Sequence, residues 1–387
     1  MAGNRHRPGN KEEAQPMKRL VITLAAAAAL AQGPAAMARE LIYGSWLGAN
    51  NATNTVTLTR YFDMIRERTG GSIEWKLVAG GQLANGPGTP EAVKNGLMDA
   101  GLVMAPYQPR MLPATNMIFS QSLIGDDFVA SVGAMNEVLM LGCPECHEEF
   151  GRNNAVGFGG YGVSPYLFMC RGNPRSVEDL KGLKIRGSGG GVNIIELAGA
   201  TPVSMPPNEA TSALERGTLD CVLGGVQWLI SFGYLDVVDT VIQAPMGMGG
   251  PPVLMYVNRE VWESMTPEER RAHVELMPDA VAIEVFEAQM AKDRAAIEAA
   301  RKKGFTFVEG GEPFAEIMRE RDAVQYGMNV ENARAAGVKE PEKILDYYLS
   351  AYEKWKRIVA EEVGDDQAKF REALWREVYS KVDPEAL

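Results

Sequence analysis

Asp179-Leu180-Lys181-Gly182-Leu183-Lys184-Ile185-Arg186 runs straight into Gly187-Ser188-Gly189-Gly190-Gly191 and then into Val192-Asn193-Ile194-Ile195-Glu196-Leu197-Ala198. Leu183–Arg186 reads as a short apolar strand, the glycines as a turn, and 192–198 as a helix. Arg186 therefore ends a strand just before a helix start, the place where open α/β sheets hold their ligands. A guanidinium grips a carboxylate through two parallel hydrogen bonds, which makes Arg186 the sharpest candidate anchor. The competing reading pairs Arg186 with a neighbouring Asp or Glu. The glycine run lacks the G-x-G-x-x-G spacing of a dinucleotide loop. It is better read as backbone coming close to a small anion at a helix N-terminus, with Asn193 in the first turn as a further candidate contact.

Outward from this unit, strand-like and helix-like stretches alternate. Strand candidates are 41–46, 72–78, 100–104, 154–159, 166–170, 220–223 and 253–258; helix candidates are 54–68, 90–97 and 208–216. Such alternation predicts an α/β fold with mostly parallel sheets covered on both faces. No internal repeat or low-complexity linker separates two halves, so two lobes would have to be joined by a chain that crosses more than once. The last third is mainly helical. Pro267 suits the first turn of a helix reaching Lys303. Within 341–360, Leu345, Tyr348, Leu349, Tyr352, Trp355 and Val359 form one apolar stripe, expected to pack on the protein's own lobes rather than in a dimer seam.

The chain has 387 residues, 46% hydrophobic and 23% charged, with a net charge of −11, enough for two ordinary domains with a real core. Residues 1–38 differ from the rest. Met17-Lys18-Arg19 is a basic start, 20–31 is an apolar run too short to span a bilayer, and Ala36-Met37-Ala38 fits a cleavage site. This reads as a signal peptide cut after Ala38, with Met17 as an alternative start. The segment carries five Lys/Arg and two Asp/Glu, so its removal takes the net charge to −14. Such acidity excludes the basic surface that nucleic-acid binding needs, and an anionic ligand would have to be held by local charge.

Cys143-Pro144-Glu145-Cys146-His147 matches the c-type haem attachment signature, in which two thiols bond the vinyl groups and the histidine ligates iron. The alternative is a tight disulfide, or two separate disulfide partners, with His147 at the surface. A single copy in so long a chain favours the structural reading, and scattered methionines argue against copper. Cys170 and Cys221 sit at the edges of two strand candidates, where neighbouring strands would bring them into bridging range. Catalytic constellations are missing: 39–387 contains two histidines, His147 and His273, and no G-x-S-x-G, H-E-x-x-H or P-loop. No catalytic residue, metal or cofactor is expected.

The segment Asp179–Arg186 resembles the DLKGLKIR block of solute-binding proteins from tripartite ATP-independent periplasmic (TRAP) transporters, dicarboxylate-binding type. Gly199-Ala200-Thr201-Pro202-Val203 is similar to that family's GA-x-PV, and Glu209 with Ala213-Leu214-Glu215-Arg216-Gly217-Thr218-Leu219-Asp220 to its E…AL-x-x-G-x-x-D. Val257-Asn258 with Trp262, Thr69-Gly70-Gly71, Gly80-Gly81-Gln82-Leu83 and Gly96–Gly101 extend the resemblance over roughly residues 41–360. It implies a two-lobed periplasmic binding protein fold, with crossing strands between the lobes, a long C-terminal helix and closure on a carboxylate held by Arg186. On that basis lobe I would span 39–160 with a return segment 253–310, lobe II 161–252, and 311–387 would lie along both. It further implies a periplasmic receptor that hands its ligand to membrane subunits.

Three positions depart from the family pattern. A second arginine falls near Tyr166, the frequent asparagine falls on Gly224, and an aromatic falls on Pro207. Fewer polar anchors, with Trp46, Tyr107, Tyr161, Tyr166 and Trp228 available as walls, point to a smaller or less polar monoacid. Glu209 completes the candidate ligand set.

Overall fold

The computed structural model describes residues 38–123 and 127–387; the signal-peptide reading falls outside them apart from Ala38. Among the described residues, eleven strands form two mixed sheets. The strands are β1 (Arg39–Gly44), β2 (Ile73–Val78), β3 (Ala100–Val103), β4 (Ala155–Gly160), β5 (Tyr166–Cys170), β6 (Lys184–Gly187), β7 (Thr201–Ser204), β8 (Cys221–Gly225), β9 (Thr240–Gln243), β10 (Val253–Asn258) and β11 (Thr306–Glu309). The first sheet has the order β2-β1-β3-β10-β4, and the second β11-β9-β5-β8-β6-β7.

The chain passes from the first sheet to the second between β4 and β5, and returns between β9 and β10. These passages explain why the sheets are less parallel than the alternation predicts. β10 enters the first sheet from the other lobe and runs antiparallel to both β3 and β4. β5 enters the second and runs antiparallel to β8 and β9. The strand pairs β1–β3, β6–β7, β6–β8 and β9–β11 are parallel. The expected return segment also needs correction: it leaves the first lobe before residue 310, since β11 pairs with β9 in the second sheet.

Local chemistry sets the element that carries Arg186. Ser176 and Asp179 close a capping box on the Val177–Leu180 helix. Gly182 then turns the chain at φ +77°, and β6 follows with Ile185, Arg186 and Gly187 buried. Both edges of β6 are paired, with Arg186 opposite Val203 of β7 and Val222 of β8, so its backbone is fixed.

The helix expected over 267–303 is broken. Thr266 and Glu269 cap Pro267–Glu275, and a second helix starts at Met277 with Pro278 in its first turn. Proline has no N–H to donate to the preceding turn, which ends the first helix at that point. The second continues as a π-helical turn, Glu284–Met290, into Ala291–Lys303. The π turn packs against another, Thr53–Leu58, in the first lobe, while Ala291–Lys303 packs on Trp228–Ser231 in the second. One long helical path thus links the two lobes.

The longest helix is Gly311–Ala335. The Pro341–Ile358 helix buries Leu345, Tyr348, Tyr352 and Trp355 and half-buries Leu349. It lies along Phe128–Glu137, where a β-carbon at Gly133 would fall 2.2 Å from the Trp355 ring. The stripe is consumed inside the chain, as expected.

Candidate functional site

Between the two sheets lies a cavity of about 30 Å³. The first lobe contributes Trp46, Leu47, Asn51, Thr53, Met104 and Tyr107, and the second Tyr166, Arg186, Pro207, Gln227, Trp228 and Phe232. Tyr161 and Val163 come from the passage between β4 and β5, and Gln289 from the linking helix. Six of the eight ligand candidates read from the sequence meet here: Arg186, Trp46, Tyr107, Tyr161, Tyr166 and Trp228. The other two do not. Asn193 is half-buried and donates to Gln325 Oε1 (3.3 Å), and Glu209 is exposed on the first turn of Pro207–Glu215.

Arg186 is 1% exposed. Its Nε donates to the Met205 carbonyl (2.7 Å) and Nη2 to Ser188 Oγ (3.4 Å), while the buried Nη1 has no hydrogen-bond partner. Among the described residues no carboxylate lies within ion-pair distance of it, so the structural ion-pair reading has no partner to name. A desolvated guanidinium with an open donor is costly unless an anion supplies the missing bonds. Arg186 Cζ lies over the indole of Trp228, 5.2 Å from the ring centroid, a cation–π contact. Tyr107 Oη lies beside the guanidinium without closing a well-formed bond to it. Burial pushes its pKa up to about 12 against the lowering effect of Arg186, so the phenol stays protonated.

The walls are aromatic on both sides. Trp46 and Tyr107 meet edge to face at 5.8 Å, and Trp46 Nε1 is held by the Leu102 carbonyl (3.1 Å). Opposite them, Tyr166 and Trp228 lie 5.6 Å apart, with Phe232 against Trp228.

A polar side was not foreseen. Thr53 and Gln289 line the cavity and both donate to Glu284 Oε1, at 2.8 and 2.7 Å. Glu284 is fully buried, and burial raises its pKa. Gln227 reaches Gln289 Oε1 at 3.5 Å, and its backbone N–H is held by Asp293. Nothing in the periodicity marks these residues, because a Glu or Gln in a helix normally reads as a solvated face.

The glycine run serves a different purpose from the one expected. None of its glycines lines the cavity. A β-carbon at Gly190 would lie 2.4 Å from the Ser120 carbonyl oxygen, and one at Gly189 2.9 Å from the Phe119 ring. The backbone comes close to another stretch of the chain, not to an anion.

The cysteines form two disulfides, Cys143–Cys146 and Cys170–Cys221. The second joins residues directly opposite across β5 and β8, which are antiparallel rather than parallel as anticipated. The first closes on itself at the start of Pro144–Arg152, where Cys143 Sγ also accepts from the Cys146 N–H. Its sulfurs are bonded to each other, and half-buried His147 places Nε2 on the Leu139 carbonyl (2.9 Å). Both features serve local structure.

Comparison with known proteins agrees with this geometry. The chain matches the model for bacterial extracellular solute-binding protein, family 7, over residues 45–327. The 2,3-diketo-L-gulonate-binding periplasmic protein of Escherichia coli K12 is 22% identical over 235 residues, 57% of this chain and 66% of that protein. The chain thus spans just under two thirds of the length of that relative. Among solved structures, a TRAP solute-binding protein from Rhodoferax ferrireducens, in complex with copurified benzoate, superposes with a TM-score of 0.74 at 18% identity, covering 83% of this chain and 99% of that one. One from Bordetella bronchiseptica, with bound mandelate, gives 0.70 at 22% identity over 82% and 99%. A Bordetella pertussis receptor binding pyroglutamic acid gives 0.68 at 20% over 81% and 100%. At these identities the likeness is one of fold.

Proposed function

Because the chain belongs to family 7 of the bacterial extracellular solute-binding proteins, we propose that it is the periplasmic receptor of a TRAP transporter and captures a small monocarboxylic acid between its lobes. It performs no reaction on the ligand and delivers it to the membrane subunits. The observation that carries the ligand class is Arg186, fully buried in the cavity wall with Nη1 unpartnered and no carboxylate of the described chain to neutralise it. A ligand carboxylate supplies the acceptor for Nη1 and the opposite charge in one group. The aromatic walls favour a flat or compact apolar body, and a second cationic anchor for a dicarboxylate is missing from the lining. The ligands named for three structural relatives, benzoate, mandelate and pyroglutamate, are ring-bearing monocarboxylates and support the same class.

Native mass spectrometry of the secreted protein as purified, followed by calorimetric titration with small carboxylates, tests the reading. A retained mass that belongs to a monocarboxylic acid, and micromolar or tighter binding of that acid, is expected. An uncharged or cationic ligand would overturn it.

A further inference from the structure

The polar side of the cavity has a fixed direction. Glu284 is 0% exposed, and among the described residues no cation pairs with it. Its Oε1 accepts from Thr53 Oγ1 and from Gln289 Nε2, and its Oε2 accepts from Thr57 Oγ1 (2.6 Å). Two relays result, Thr53 to Glu284 and Gln289 to Glu284, both ending on one buried oxygen. Protonation of Glu284 on Oε2 leaves them unchanged. With these protons committed, each relay shows an acceptor at the cavity end: Thr53 Oγ1 and Gln289 Oε1. The latter is engaged only loosely, by Gln227 at 3.5 Å. Asn51, whose Oδ1 is taken by the Thr53 N–H, adds one donor nearby through Nδ2.

We infer that Glu284 is a specificity-determining positioning residue. By holding Thr53 and Gln289 as acceptors toward the cavity, it selects carboxylic acids that also carry a hydroxyl donor, as 2-hydroxy acids do. A hydroxyl donates to Gln289 or Thr53 and still accepts from Asn51. A ketone faces acceptors with an acceptor, and a hydrogen leaves them unpaired in a dry site. The inference rests on the acid-receptor reading above. Glu284 touches no ligand and acts only through Thr53 and Gln289, and its place at the start of the π turn between the lobes puts it where the linking helix meets the Thr53–Leu58 turn.

Calorimetric titration of the full protein with two matched sets tests it: mandelate, phenylacetate and phenylglyoxylate, and lactate, propionate and pyruvate. Within whichever set binds, the hydroxy acid is expected to bind at least tenfold tighter than its deoxy and keto partners, the discrimination that sites built for a hydrogen bond achieve. In Glu284→Met no acceptor remains for Thr53 and Gln289, and either can turn a donor toward the cavity. The hydroxy-over-keto preference should fall below twofold or invert, while deoxy-acid affinity stays within about threefold. A merely structural role would weaken all three alike. Thr53→Val, expected to lose the hydroxy preference through the same relay, gives the answer if Glu284→Met fails to fold. Acids that bind wild type without discrimination, or variants that keep the wild-type order, overturn the inference alone. Binding of none of the six overturns the acid-receptor reading and the inference with it.

Discussion

Gly224 leaves the space that Trp228 fills: a β-carbon at 224 would stand 1.9 Å from Cζ3 of the indole. With no side chain at 224, the aromatic ring lies against the guanidinium of Arg186. Gly224→Ala should push the ring off Arg186 at an overpacking cost of about 1–3 kcal/mol, with at least tenfold weaker acid binding and a changed tryptophan emission. Unchanged affinity and emission would show that the ring does not need the space.

Arg186→Ala should weaken acid binding at least tenfold, since truncating one side of a desolvated charge pair typically costs about 2–5 kcal/mol. The melting temperature of the ligand-free protein should stay nearly constant, because Arg186 balances no internal charge. Arg186→Lys should not restore binding, as an ammonium lacks the planar fork. A fall in ligand-free stability with affinity intact would return Arg186 to a structural role.

The disulfides should differ in their effect on stability. Cys170–Cys221 bridges a sequence separation of 51 and Cys143–Cys146 one of 3. Loop-closure entropy assigns about 4 kcal/mol to the first and about 2 kcal/mol to the second. Chemical unfolding of Cys170→Ser/Cys221→Ser and Cys143→Ser/Cys146→Ser should reproduce that order. Protein matured alongside a haem-attachment system should show no Soret band.

His273 supplies a pH signature. It is 0% exposed, accepts from Trp75 Nε1 (2.8 Å) at Nε2 and meets the Glu269 carbonyl at Nδ1, the pattern of a neutral ring. Burial lowers its pKa to about 4. A folded-state pKa below the unfolded one gives stability that is complete above about pH 6.5 and is lost as the pH falls toward 4, on the order of 3 kcal/mol in all. Buried Glu149 and Asp293, raised to about 7 and about 6, act in the opposite direction. The measurement is therefore the difference in unfolding free energy between wild type and His273→Gln from pH 8 to 4. That difference should shrink on acidification; a flat difference would show that His273 does not titrate.

Much of the site was legible because its residues announce themselves. An arginine closing an apolar strand and large aromatics near strand ends have few bland explanations, and six such residues converge on one cavity. Thr53, Glu284 and Gln289 were not legible. They are 231 and 236 positions apart from Thr53 to the two helical partners, and a π turn leaves no mark in a 3.6-residue period. Strand direction was equally hidden, since alternation reports which face is buried and not which way the chain runs. The break before Pro278, by contrast, was written in the proline itself.

A cavity of about 30 Å³ is smaller than any ring-bearing acid. Trp46 and Tyr107 on one side and Arg186 and Trp228 on the other must therefore draw apart to admit one. Exchange must wait for the two sheets to part along the linking helix, so the escape rate belongs to that motion and not to the chemistry of the bound molecule. A membrane partner that favours the parted state can trigger unloading without touching the ligand.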